Sequence, residues 1–155
     1  ARSSLASSAS IPRETSIGSA ARAQDSGGSP AWSSISSSTA AVNNLTLRAD
    51  QLPTNTTVLF LAAVMTANVP NAGGSQGTLC LGGPIGRYVD QDQLRTSTSL
   101  GFATLQLELT ETPTPTGFVA ALAAQTWFSQ AWYRDQGTGG GATSNFTNAT
   151  GLTFE

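Results

Sequence analysis

The chain contains no histidine and no lysine, a single cysteine, and few charges of either sign. Without imidazole there is no Ser–His or Cys–His pairing for nucleophilic catalysis and no histidine-ligated zinc. Charged residues make up 10% of the chain, against about 25% in ordinary soluble domains. All seven basic residues are arginine and the net charge is −2. That balance offers none of the dense basic surface that displaces counterions from nucleic acid. The longest apolar run, residues 58–65, is far too short to cross a bilayer. The lone thiol, Cys80, has no partner for an internal disulfide, so the crosslinked framework of many small secreted domains is missing.

Hydroxyls take the place of charge. Serine and threonine number 19 and 21, so the chain stays soluble through hydroxyls and amides or is meant to associate. At 155 residues it has the size of one domain, hiding roughly 70% of its unfolded surface. It begins with Ala1 rather than Met, which suggests a processed product.

Residues 1–30 differ from the rest. Leu5, Ile11 and Ile17 are the larger apolar residues among Ser, Ala and Gly, too few to offset the chain entropy of ordering. Fixing such a leader costs about 1–2 kcal/mol per residue in backbone entropy. A neighbouring chain is the expected source of compensation. The six-residue spacings between the three anchors are even, so all three can point to one face of an extended arm.

From Trp32 onward the pattern is that of strands. "NLTLRA" alternates Leu45, Leu47 and Ala49 against polar neighbours, and "TVLFLAAVM" is apolar on both faces, as a central strand requires. Residues 67–86, rich in Gly, Pro and Asn, read as loop with a short strand at "TLCL". "STSLGFATLQLELT" changes phase between Phe102 and Leu105, which a β-bulge near Ala103–Thr104 would repair. "ETPTPTG" reads as an extended loop. "QTWFSQAWYRD" sets Phe128 and Trp132 on one face and Trp127 and Tyr133 on the other, and "TGLTF" closes the chain. The expectation is an all-β chain: an antiparallel β-sandwich of seven to eight strands over 31–155, with a small β-barrel as the alternative, behind an extended arm at 1–30.

Candidate sites are few. The glycine-rich stretch from Asp135 to Asn148 has no lysine and leads into no helix, so it reads as a long turn rather than a phosphate cradle. Arg134 and Asp135 are expected to pair beside it. Asp90 and Asp92 have the alternate-carboxylate spacing of a calcium loop but lack its glycine and distal glutamate. Four Asn-x-Ser/Thr triplets, at Asn44, Asn55, Asn145 and Asn148, are candidate glycosylation positions. Glu108 and Glu111 flank one strand end, with Glu108 outward, which does not suit a buried catalytic acid. Cys80 between Leu79 and Leu81 reads as a small buried hydrophobe, with an intermolecular disulfide as the sharper alternative. One ring of the aromatic strand could be left exposed for sugar stacking. No enzyme, no cofactor and no metal are expected.

Three stretches carry a resemblance. "GGSQGTLCLGGPIGRY", "WFSQAWYRDQGTGGGATSNFTNATGLTF" and the middle segment "NNLTLRADQLPTN" resemble the C-terminal domain of many large exported proteins of planctomycetes and related environmental bacteria. The resemblance covers roughly residues 30–155. It implies an exported, extracellular or cell-surface β-domain without assigned chemistry, and it supplies no catalytic residues. Members of that family usually carry an upstream cysteine where this chain reads Arg22-Ala23-Gln24, so none stands there to join Cys80.

Two functions follow as expectations. The first is a structural subunit of an extracellular filament or surface assembly, polymerising through the arm packing on, or adding a strand to, a neighbouring copy. The second is an anchoring, sorting or carbohydrate-binding module of a larger exported protein.

Overall fold

The computed structural model describes residues 45–154 in full and the backbone of residues 32–36. Leu5, Ile11, Ile17 and Asn44 lie outside the described residues. In chain order the strands are β1 (Trp32–Ser36), β2 (Leu45–Asp50), β3 (Thr57–Ala63), β4 (Met65–Pro70), β5 (Thr78–Gly82), β6 (Gly86–Arg87) and β7 (Arg95–Thr96). There follow β8 (Ala103–Leu107), β9 (Thr112–Thr114), β10 (Gly117–Val119), β11 (Thr126–Gln136), β12 (Ala142–Phe146) and β13 (Thr150–Thr153).

Two open antiparallel sheets make a sandwich. One has the order β1-β2-β8; the larger runs β12-β11-β3-β6, with β13 also on β11 and β7 on β3. The alternation in sequence places the core between them. Leu45, Leu47 and Ala49 of β2 and Ala103, Leu105 and Leu107 of β8 meet Val58 and Phe60 of β3 and Trp127, Ala131 and Tyr133 of β11 in one buried cluster. Among the described residues the strands close no barrel. β3 is apolar on both faces because both are covered. Its odd-numbered residues Leu59, Leu61 and Ala63 face a second cluster with Leu81, Phe128, Trp132 and Phe146. That second cluster lies under the β4–β5 hairpin, a partial third layer on the outer face of the larger sheet.

Thirteen strands are found among the described residues, where seven to eight were expected. The surplus comes from β4, β7, β9, β10 and β12, which arise in segments without alternation. "ETPTPTG" is more than extended loop: a 3-10 turn at Leu109–Glu111 leads into the β9–β10 hairpin. The bulge expected near Ala103–Thr104 is absent, since β8 runs in unbroken register with β2. No change of phase is needed: Phe102 lies on the outer face with the Arg48 guanidinium 4.1 Å from its ring centre. Leu100, in the turn that the Gly101 N–H closes to the Thr98 carbonyl at 3.0 Å with φ +73°, is left 82% exposed. The ladder is irregular elsewhere, between Thr66 and Val69 of β4.

Candidate functional site

Gln130 organises the outer face of the larger sheet. It is the polar residue between Phe128 and Trp132 on that face of β11, and it is fully buried. Its Oε1 accepts the Cys80 backbone N–H at 2.9 Å. Its Nε2 donates to the Thr78 carbonyl at 3.0 Å and to the Thr147 carbonyl at 2.7 Å. Every hydrogen-bonding group of the amide is thus used, which is what makes burial of a polar side chain tolerable. The first two bonds lock β5 across β11. The third stitches the break between β12 and β13, which pair with different halves of β11. At that break the Thr147 N–H donates to the Ala131 carbonyl at 2.9 Å, and Thr147 Oγ1 accepts the Ala131 N–H at 3.0 Å.

The sequence motifs therefore meet in space. Gln76 N–H and Ser75 Oγ both donate to the Ser144 carbonyl, at 2.9 and 3.0 Å. A Cβ on Gly77 would strike the Asn145 amide oxygen. "SQGTLCLGG" lies across "FSQAWYRD" and "SNFTN", and the conspicuous polar residues of all three bind one another's backbone. Cys80 is buried at 9% exposure, and its Sγ–H points at the Thr78 carbonyl, 3.7 Å away. Burial pushes this thiol above its ordinary pKa, with the Gln130 hydrogen bond acting in the opposite sense. An intermolecular disulfide would require β5 to lift first.

Beside the hairpin the outer face stays open. A groove of about 340 Å³ runs between Leu59, Leu79, Ile85, Trp132 and Phe146, with Arg87 also lining it. The "PIGRY" stretch explains the placement of Arg87. Gly86 and Tyr88 turn inward, Gly86 against the Pro113 backbone and Tyr88 into the sandwich core, which sends Ile85 and Arg87 outward. Arg87 is exposed, and among the described residues the ion pair formed is Arg48–Asp50 at 2.7 Å. The Arg134 guanidinium lies 5.4 Å from the centre of the Trp132 ring, a cation–π distance.

The other candidate positions fall elsewhere. The glycine-rich stretch is a tight end to the β11–β12 hairpin: Gly137 N–H donates to Gly141 and Gly140 N–H to Gly137, both at 2.8 Å. Arg134 and Asp135 do not pair. Neighbours on a strand point to opposite faces, so Arg134 reaches Trp132 while Asp135 accepts from the Gln136 N–H at 2.8 Å and from Asn145 Nδ2 at 3.5 Å. Asp90 and Asp92 are exposed in a turn, and among the described residues no cluster of three metal-ligating side chains forms. Glu108 is exposed and accepts the Thr110 hydroxyl at 2.7 Å. Asn55 stands exposed at a turn with φ +55°, open to a glycan. Asn145 is 3% exposed and accepts the Phe146 N–H at 2.9 Å, so its side chain is turned into the fold. Asn148 is half-buried.

Comparison of the chain with protein families, with curated proteins and with solved structures finds no match. The groove and the Gln130 clamp are absent from the sequence-based expectations. A glutamine inside an otherwise apolar strand face was the available signal for the clamp. Nothing comparable announced the groove, whose lining comes from several separated segments.

Proposed function

We propose that this chain is a structural subunit of an extracellular filament or surface assembly, in which residues 1–30 of one copy pack on, or add a strand to, the next. The observation that carries this reading is a set of exposed apolar side chains in uncharged stretches of the body. Val64 just before β4, Met65 and Val69 along it, and Phe118, Val119 and Leu122 around β10 are all 43–58% exposed. Both groups lie in long uncharged stretches, residues 51–86 and 112–133. Exposed apolar groups of this kind mark surfaces that meet other chains. Among the described residues β4 pairs with β5 alone, which leaves an edge suited to strand addition.

Deleting residues 1–28 tests the reading by electron microscopy and sedimentation. The expected result is folded, monomeric protein without polymers; polymers that persist after the deletion overturn it.

A second reading, a glycan-binding module of a larger exported protein, draws on the half-buried Trp132 ring in the groove. It predicts monodisperse protein that shifts a polysaccharide on a native gel, with the shift lost in Trp132→Ala.

A further inference from the structure

We infer that the groove beside the β4–β5 hairpin receives the leader of a second copy, with Ile17 seated on its apolar floor and Glu14 meeting Arg87. This rests on the proposed assembly through residues 1–30 and gives that contact an address. Three observations converge on it.

The first is size and chemistry. A cavity of about 150 Å³ holds a benzene, so a groove of about 340 Å³ has room for a branched side chain and the backbone carrying it. Its lining is aliphatic and aromatic except for Ser144 and Arg87. The fitting occupant is an apolar side chain with an acid nearby.

The second is the spacing within the leader. Ile11, Glu14 and Ile17 stand at i, i+3 and i+6, and three residues make one turn of a polyproline II helix, so such a series shares a face. Six-residue spacing of the anchors suits both twofold and threefold arrangements, but Glu14 joins the face only in the threefold one. Ile17 lies between Ser16 and Gly18, neighbours small enough for close approach to the floor.

The third is charge. Residues 1–31 carry three arginines and two acids, whereas 32–155 carry four arginines and seven acids. A slightly cationic leader on an anionic body favours docking between copies. The fifteen residues from Ile17 to the start of β1 reach about 50 Å when extended, enough to span to a neighbouring molecule.

The test uses the full chain throughout. Arg87→Glu should raise the concentration needed for assembly by about tenfold, and Glu14→Arg should do the same. The double variant Arg87→Glu with Glu14→Arg should recover assembly, a coupling that two independent defects would not show. Circular dichroism confirms that each variant is folded. In a Cys80→Ser background, mixing Ile17→Cys chains with Ile85→Cys chains should give a disulfide-linked dimer. Assembly lost on deleting residues 1–28 but indifferent to Arg87→Glu, Glu14→Arg and Ile17→Asp overturns the groove and leaves the arm in place. Assembly that survives the deletion overturns both. A chain carrying both cysteines that links only to itself overturns docking between copies.

Discussion

The side-chain amide of Gln130 accepts the backbone N–H of Cys80 at 2.9 Å, joining β11 to a strand fifty residues earlier in the chain. With the bonds to Thr78 and Thr147 it makes one residue the meeting point of β11, β5 and the break between β12 and β13. Gln130→Leu keeps the volume nearly constant but orphans a buried donor and two carbonyls. Each orphaned group costs about 1–3 kcal/mol, and Thr78 retains the weak Cys80 thiol donor, so a loss of about 3 kcal/mol is expected. Urea unfolding measures it as a lower midpoint at unchanged slope. An unchanged midpoint would show that the clamp is ornamental.

Gly86 lies where β6 crosses β9. A Cβ there would overlap the carbonyl of Pro113, and backbone, unlike a flexible side chain, has little room to retreat. Gly86→Ala is therefore expected to destabilise by at least about 3 kcal/mol, beyond ordinary overpacking. Gly139→Ala is the control, because nothing lies within 4 Å of the added methyl, and it should stay within about 0.5 kcal/mol of the parent. Thermal melts of the two side by side decide the point.

These two sites also separate what the sequence discloses from what it conceals. The period-two pattern of Leu45, Leu47 and Ala49 marks β2 because one face of that strand meets solvent and the other the core. The two-sided apolar run of β3 marks a strand covered on both faces. β4 carries no such mark: its residues are almost uniformly exposed, so no alternation is imposed and "MTANVP" reads as loop. The bulge expected at Ala103–Thr104 failed for a related reason. Leu100 meets solvent at the Gly101 turn and Phe102 lies outward against Arg48, so neither shares the inward face of Leu105. The motifs were conspicuous without disclosing their role, since Gln130, Ser75 and Thr147 serve backbone groups brought near only by folding.

Tyr88 gives the fold a pH dependence. The residue is 2% exposed, and burial drives its hydroxyl far above the ordinary phenol range, opposed by a hydrogen bond with Thr112. A raised folded-state pKa means that the unfolded chain releases its proton first as pH rises. The stabilisation is complete below the unfolded phenol value of about 10 and is lost progressively above it. Urea midpoints measured from pH 8 to 11 should fall steeply for the parent. Cys80 contributes in the same sense, so the comparison belongs in a Cys80→Ser background. There, Tyr88→Phe should begin less stable and decline less. Equal slopes for the two proteins would exclude Tyr88 as the source.

Cys80 reports on the hairpin that forms one wall of the groove. Its thiol is buried beneath β5 and held above its ordinary pKa, so attack by iodoacetamide requires both exposure and ionisation. Labelling in the folded protein at pH 8 should be slower by orders of magnitude than in urea, its rate set by the population of an open state. The question is which opening. Among the described residues β4 pairs with β5 alone, and β5 is tied to the larger sheet through the Gln130 amide. The hairpin can therefore lift while the sandwich core between β2, β3, β8 and β11 stays closed. If so, labelling runs ahead of global unfolding, and Gln130→Leu accelerates it more than the loss of global stability accounts for. If labelling tracks global unfolding in both proteins, the hairpin is part of the main cooperative unit and the groove is a fixed surface rather than one that opens.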